Sequence, residues 1–276
     1  MNATNPPDSC DGGLFAGTAW HYARYRPGYP AAFYDDLVQR LGLGGTGRLL
    51  DLGCGTGQLT LPLAAHVTEA VGVDPEPDML TEAGRLAQEQ AVTNVSWIQG
   101  DSADLPHNLG RFTLVTMGRS FHWMDRERVL TALNEMVVDE VGSLIIANDS
   151  NLVLPSTSWQ QAVADVQRQF LPPDYQHDPP PTVATRQTHQ QVLANSAFGQ
   201  VHRQVYEYTR PWTIEQAIGY LYSTSLPLRR LLGERRSAFE DTVRSTLLAI
   251  EPSGYFIEPV VLEVLTATRA PASSPR

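Results

Sequence analysis

Residues 49–60 read LLDLGCGTGQLT, a spacing that brings backbone close to a ligand. An apolar run of Leu49, Leu50 and Leu52 carries the acid Asp51. It then gives way to Gly53, Gly55 and Gly57, with Cys54 and Thr56 between them. Glycine has no Cβ, so a turn built from it allows approaches that other residues block. The dinucleotide fingerprint G-x-G-x-x-G is the first template to try. It fails, because counted from Gly53 its third glycine falls on Gln58, and the acid precedes the glycines. More chemistry lies downstream. Asp74, followed by Pro75, and Asp101, followed by Ser102 and Ala103, each close a short apolar run. A carboxylate at a strand end can take both hydroxyls of a ribose. The segment GRSFHWMD, 118–125, holds His122, whose ordinary pKa of about 6.5 suits proton transfer near neutral pH. Asp149 is a second candidate base, able to orient an ammonium or accept a hydroxyl proton.

These groups need a scaffold, and the periodicity supplies one. Helical spacing covers 31–41 and ends in the glycine-rich LGLGGTG. Strand 49–52 precedes a helix over 58–66, with Pro62 tolerable only near its start. Strands follow at 70–73, 95–99, 112–117 and 143–147, and helices at 78–90 and 126–140. The last of these helices puts Val129, Leu130, Leu133, Met136 and Val137 on one face, with Asp125 as N-cap. Alternation of this kind implies βαβ units and a parallel sheet, which binds ligands outside the carboxyl ends of its strands. After Asp149 the rhythm changes to a helix at 155–170, the proline-rich connector LPPDYQHDPPP and a helix at 188–197. A strand at 201–208, helices at 213–223 and 234–251 and a final strand at 255–267 complete the chain. The expected fold is α/β, a doubly wound, mostly parallel seven-stranded sheet with an antiparallel last strand. Its last two strands form a hairpin-like pair at the sheet edge, and helices lie over the strand ends as a lid. Residues 1–16 are expected to be a disordered tail, 17–150 the binding core and 151–253 the lid with the strand near 201–208. The final strand takes 254–269, and 270–276 is a mobile tail.

The acid-led G-x-G-x-G turn resembles motif I of class I S-adenosylmethionine (SAM)-dependent methyltransferases, and Asp74 and Asp101 follow in order at similar separations. The resemblance covers residues 22 to about 147, and the remainder by architecture alone. A Y-x-x-x-R-P-x-Y-P element, matched by Tyr22, Arg26, Pro27, Tyr29 and Pro30, sharpens it. It implies a Rossmann-like methyltransferase fold, SAM as cofactor and S-adenosylhomocysteine as product. By this resemblance the amides of the glycine turn face the methionine carboxylate. Asp51 holds the turn or accepts from the ammonium group, and Asp74, Pro75 and Met79 belong to the cofactor site. Asp101 accepts from the adenine amino group beside Ser102 and Ala103, although capping a helix competes for Asp101 and Ser102. Gly118, Arg119 and Ser120 lie at the methionine end, and Phe121, His122 and Trp123 near the transferred methyl. Tyr22 and Arg26 fold over the cofactor, unless that element is an aromatic–proline turn that only packs.

Composition narrows the partners. With 30 acids against 20 basic residues, all of them arginine, the formal charge of −10 opposes nucleic-acid binding, which needs cations against phosphates. It suits a small neutral or cationic acceptor. No apolar stretch approaches the roughly 18 residues that a membrane helix needs. The N-terminus does not read as a signal peptide, and Cys10 and Cys54 make no disulfide framework, so the expected compartment is the cytoplasm. His66, His107, His177, His189 and His202 show no metal-ligand spacing. A monomer or homodimer is expected. Trp159, Tyr175, Trp212 and Tyr220 are candidate acceptor-binding residues beside Phe121 and Trp123. With Asp165, Asp174, Asp178, Glu207 and Glu215, such a pocket suits a polyamine or amino sugar. The Ala-, Arg-, Pro- and Gly-rich composition looks like that of a high-GC bacterium, where related enzymes serve antibiotic pathways. The expectation is N-methylation of an amino-sugar, aminoglycoside-like natural product. Its rivals are O-methylation of a polyketide or small carboxylic acid and a non-catalytic SAM-binding module.

Overall fold

A computed structural model describes residues 15–106, 108–139, 141–149, 155–172, 175 and 187–270. Both expected tails lie largely outside the described residues, as do Cys10, His107, Asp174, His177 and Asp178. The elements begin with α1 (Ala19–Tyr25), α2 (Ala31–Arg40), β1 (Arg48–Leu52), α3 (Thr60–Ala64) and β2 (Glu69–Asp74). Next come α4 (Pro77–Glu89), β3 (Val95–Gln99), β4 (Leu114–Gly118), α5 (Arg126–Met136) and β5 (Ser143–Asp149). Then follow α6 (Ser158–Phe170), α7 (His189–Ala194), β6 (Gln200–Thr213) and α8 (Ile214–Leu221). The last are α9 (Leu228–Leu232), α10 (Arg236–Ile250) and β7 (Tyr255–Thr268).

The seven strands form one sheet in the order β3-β2-β1-β4-β5-β7-β6. β1 pairs in parallel with β2 on one side and β4 on the other, which places Asp51 level with Gly72 and Thr116. Strand order reverses there, so the carboxyl ends of β1 and β4 form the switch point where α/β sheets bind ligands. β5 continues the parallel set, and β7 runs antiparallel to it with Leu262 opposite Asp149. The expected sheet is therefore observed, with its last two strands adjacent at one edge.

The boundaries differ where local chemistry overrides periodicity. The helix expected over 58–66 shortens to α3, because the Gly57 amide donates to the Cys54 carbonyl at 2.9 Å and keeps the chain turning. Pro62 then sits in the helix's first turn, where its missing N–H costs nothing. The helix expected to reach Glu140 ends at Met136, since Phe112 and Val137 form a β-bridge. β6 extends through Pro211, which an edge strand accommodates because proline there breaks no ladder. Two short helices, α1 and α9, have no counterpart in the periodic reading. α1 ends before Arg26, whose extended backbone suits the Pro27 that follows.

The chain divides into two compact units. A sheet unit comprises Gly28–Asp149, Val183–Tyr206 and Leu262–Arg276, and a helical unit comprises Met1–Pro27, Ser150–Thr182 and Glu207–Val261. β6 and β7 run through both. The sheet unit buries Leu50, Leu52, Val115, Met117 and Ile146 against Val129 and Leu133 of α5. In the helical unit the core is Trp159, Trp212, Phe239, Val243, Leu247 and Phe256. Fully burying a side chain of this kind contributes about 1.5–3 kcal/mol. Thr157, Thr188 and Thr213 cap α6, α7 and α8 in reciprocal boxes with Gln160, Gln191 and Gln216. No helix among the described residues is long and apolar enough to cross a membrane.

Candidate active site

The turn after β1 is built around a buried acid. Asp51 is 1% exposed, and its two carboxylate oxygens accept from Thr60 Oγ1 at 2.6 Å and Thr116 Oγ1 at 2.7 Å. Burial pushes its pKa up to about 6; the two hydroxyls oppose the shift and the charge of Asp74 adds to it. Asp51 thus holds the turn, and Thr60 and Thr116 are members of the site that spacing alone did not single out. Gly53 has φ +67°, and a Cβ there would stand 2.5 Å from Ser120 Cβ, so only glycine lets the β1 and β4 turns meet. Burial and the charges of Asp51 and Asp74 push the Cys54 thiol well above its ordinary range, leaving an unreactive, neutral sulfur.

The amides of this turn close on the protein. Gly53 and Cys54 donate to the Val73 carbonyl at 2.8 and 3.0 Å, Gly55 to Asp74 Oδ2 at 2.8 Å and Gly57 to Cys54. These four peptide N–H groups are spent on the protein itself and hold the loop's shape, which corrects the expectation that they face the methionine carboxylate. What stays open is the Thr56 hydroxyl, which is buried and has no partner among the described residues. An orphaned buried hydroxyl on a turn that also holds the carboxylates of Asp51 and Asp74 fits a polar, cationic ligand such as SAM.

Asp74 uses one acceptor site on each oxygen, for the Gly55 amide and, at 3.0 Å, for the Glu76 amide. Burial raises its pKa and the two amides oppose that. A carboxylate has about four acceptor sites, so two remain for a diol. Pro75 is exposed beside it, whereas Met79 packs in the core at 2% exposure. Asp101 accepts from the Ala103 amide at 2.8 Å and the Ser102 hydroxyl at 3.2 Å, while Asp104 accepts from the Asp101 amide. The capping role that competed for Asp101 and Ser102 is thus occupied.

At the end of β4, Arg119 adopts φ +55°, an unfavourable region for a residue that carries a Cβ, costing about 1 kcal/mol or more. Its amide donates to the Ala147 carbonyl at 2.9 Å, and its guanidinium lies 4.7 Å over the Tyr29 ring. Nε and Nη2 each donate to Asp149 at 2.7 Å, both side chains being buried. A carboxylate clamped in this way is a poor proton acceptor. The structure therefore corrects Asp149 from candidate base to the group that holds Arg119. Ser120 Oγ donates to the Leu52 carbonyl at 2.7 Å and Gly118 packs under Tyr29 and Leu59, completing the link between the two turns.

Residues 121–123 form a single 3₁₀ turn. Phe121 is fully buried, a second correction, because it packs in the core instead of lining an acceptor pocket. His122 and Trp123 are exposed, with ring centroids 4.9 Å apart. His189 of α7 lies behind this turn, 5.1 Å from the Phe121 ring. Burial and the charges of Arg126 and His122 hold His189 down at about 4, so it is neutral at pH 7. Its separation of 67 residues from His122 left no local signal.

The remaining candidates belong to the helical unit. The Arg26 guanidinium lies over the rings of both Tyr22 and Tyr220, 5.2 and 5.1 Å from their centroids. Trp159 and Trp212 are 4% and 2% exposed, and their indole N–H groups donate to the Ile257 carbonyl and to Glu258. Both are core residues, with no face left for an acceptor. Tyr220 is likewise buried, and Tyr175 is partly buried. Among the described residues no group of three His, Cys, Asp or Glu is placed to hold a metal.

Comparison with known proteins agrees with this geometry. Residues 49–138 match the methyltransferase domain family. An uncharacterized methyltransferase of Mycobacterium tuberculosis, Rv3342, is 33% identical over 116 residues, which are 42% of this chain and 44% of that one. The match thus spans under half the length of this relative. A putative methyltransferase from Bacillus halodurans superposes with TM-score 0.53 at 17% identity, over 88% of this chain and 100% of that one. A SAM-dependent methyltransferase from Thiobacillus denitrificans, solved with S-adenosylhomocysteine, gives 0.50 at 18% identity over 91% and 96%. At such identities the two structures show the shared fold.

Proposed function

We propose that this chain, built around a class I SAM-dependent methyltransferase domain at residues 49–138, transfers a methyl group from SAM to a small-molecule acceptor. The observation that carries the reading is the β1 turn at the sheet's switch point, which holds the buried carboxylate of Asp51, bonds Asp74 through the Gly55 amide and carries a buried Thr56 hydroxyl with no partner among the described residues. SAM supplies a methyl group on a cationic sulfur, open to in-line displacement by a lone pair. Asp51 and Asp74 supply the negative charge that favours such a cation, and Asp74 keeps acceptor sites for a ribose. His122, exposed on the turn after β4, takes the proton of a hydroxyl acceptor, a carboxylate acceptor having none to give, while Asp149 positions Arg119. Alignment of the acceptor contributes roughly 7–11 kcal/mol, against about 3–5 from a general base. His122 therefore tunes the rate without being indispensable.

The acceptor is the finer part of the proposal. An amino sugar needs carboxylates left over for its ammonium groups. Of the candidate acids among the described residues, Asp165 faces Arg168 and Glu215 lies 3.7 Å from Arg244, while Glu207 is exposed with no ion pair among the described residues. This pairing favours the rival acceptor, the carboxyl or hydroxyl group of a small acid or polyketide, over an aminoglycoside of an antibiotic pathway. We place the reaction in the cytoplasm, on a free small molecule rather than on nucleic acid, by a monomer or homodimer.

Labelled SAM with a panel of both acceptor types tests this. The expected result is label in a carboxylate or hydroxyl acceptor and, with a hydroxyl acceptor, about 100-fold slower turnover in His122→Ala with SAM affinity unchanged. Label only in amino sugars overturns the acceptor, and wild-type turnover of His122→Ala overturns the base. S-adenosylhomocysteine binding with no release from SAM under any acceptor would make the chain a SAM-binding module.

A further inference from the structure

The helical unit contains a second polar cluster, which methyl transfer does not use. A cavity of about 220 Å³ is lined by Trp20, His21 and Tyr25 of α1, by Tyr222, by Arg229 of α9 and by Glu240 of α10, all within this one unit. Arg229 is 9% exposed, yet its Nη1 has no hydrogen-bond partner and it forms no ion pair among the described residues. His21 is 6% exposed, and its Nδ1 is equally unmatched. Two acids also line the cavity: Glu240 accepts from the Tyr222 hydroxyl at 2.8 Å, and Glu215 lies 3.7 Å from Arg244. Burying a guanidinium without a counter-charge is costly, and a planar guanidinium matches an oxyanion in two-point geometry.

The surroundings narrow the ligand. Burial together with the charges of Arg229 and Arg236 holds His21 down at about 4, so at neutral pH the ring is uncharged and can donate from one nitrogen. The field that depresses it is cationic, which favours an anion. Aromatic rings supply an apolar wall: His21 meets Trp20 and Tyr222 edge-on at 4.7 and 5.3 Å and stacks on Tyr25 at 6.0 Å. A cavity of about 150 Å³ holds one benzene, so this one admits a ring bearing an acid group.

We propose that this cavity binds a small planar carboxylic acid, with Arg229 gripping the carboxylate and the rings of Trp20, His21 and Tyr222 flanking its body. The proposal concerns binding alone and goes beyond the methyl-transfer reading, holding whether or not the acid is the acceptor.

Ligand-observed NMR titration of the full chain with benzoate, benzyl alcohol and inorganic phosphate tests it. Benzoate is expected to bind, and benzyl alcohol about tenfold more weakly or not at all, for want of a charge-assisted hydrogen bond. Arg229→Gln is expected to weaken benzoate by about tenfold or more, and Arg229→Lys to recover part of the loss. S-adenosylhomocysteine binding is read in parallel, with far-UV circular dichroism as the folding control. Benzoate bound by a wild type that ignores S-adenosylhomocysteine supports this cavity while sinking the methyltransferase reading. No benzoate binding, unchanged binding in folded Arg229→Gln, or equal binding of benzyl alcohol overturns the proposal. Phosphate bound as tightly as benzoate overturns the role given to the aromatic wall.

Discussion

In the sheet unit, Asp51 is buried between two threonine hydroxyls that occupy both of its oxygens; in the helical unit, Arg229 is buried with a guanidinium nitrogen that has no hydrogen-bond partner among the described residues. The contrast does not simply separate the two units. The helical unit also contains Glu258, 1% exposed, which accepts from Arg210 at 3.0 Å, Trp212 at 2.8 Å and Gln160 at 3.3 Å. Glu258 and Asp51 are closed networks, in which the chain satisfies its own polar atoms and so fixes how elements pack. Thr56 and Arg229 are open ones. Closed networks carry the fold, and open ones mark where a ligand completes the chemistry.

Glu258→Ala is the strongest way to break the comparison. It strips Trp212 Nε1 of its acceptor and Arg210 of a buried counter-charge, and the expected loss is about 4 kcal/mol in urea unfolding. Wild-type stability would mean that the network carries nothing.

Asp51→Asn sharpens the comparison through pH. The folded pKa of about 6 lies above the ordinary 3.8, so the fold favours the protonated acid. The stability Asp51 lends is fully present below about pH 4 and is lost as pH rises through about 6. Relative to Asp51→Asn, the wild type should lose about 2 kcal/mol between pH 4 and 7. A difference that stays flat with pH would show that Asp51 titrates as an ordinary acid.

Arg229→Leu should have the smallest effect on folding. An unmatched buried charge contributes little to the native state, and the variant is expected within about 1 kcal/mol of wild type or above it. A loss resembling that of Glu258→Ala would show that Arg229 belongs to a closed network.

Much of the fold could be read from periodicity. β3 begins and ends at Val95 and Gln99 as expected, and Asp125 caps α5 by accepting from the Arg128 amide. Both depend on neighbours a few residues away. The site was legible in part. Gly53 was recognisable as a glycine needed for a turn, but Ser120, the residue that would collide with a Cβ there, is 67 positions on. Trp159 and Trp212 looked like an acceptor's wall because aromatic residues serve pockets and cores alike. Only their use of N–H on Ile257 and Glu258 separates the two. Arg229 drew no attention, since an arginine in a short helix reads as solvated until burial is known.

The order of residues alone determined the alternation of strands and helices, the acid-led glycine turn and the acids at the strand ends, because each follows from contacts within about a dozen positions. The tertiary structure alone decided that Arg119 meets Asp149, that Thr116 reaches Asp51 and that Arg229 is buried with no ion pair among the described residues. Those outcomes depend on which strands become neighbours and on how far burial raises the cost of a charge, and local spacing encodes neither.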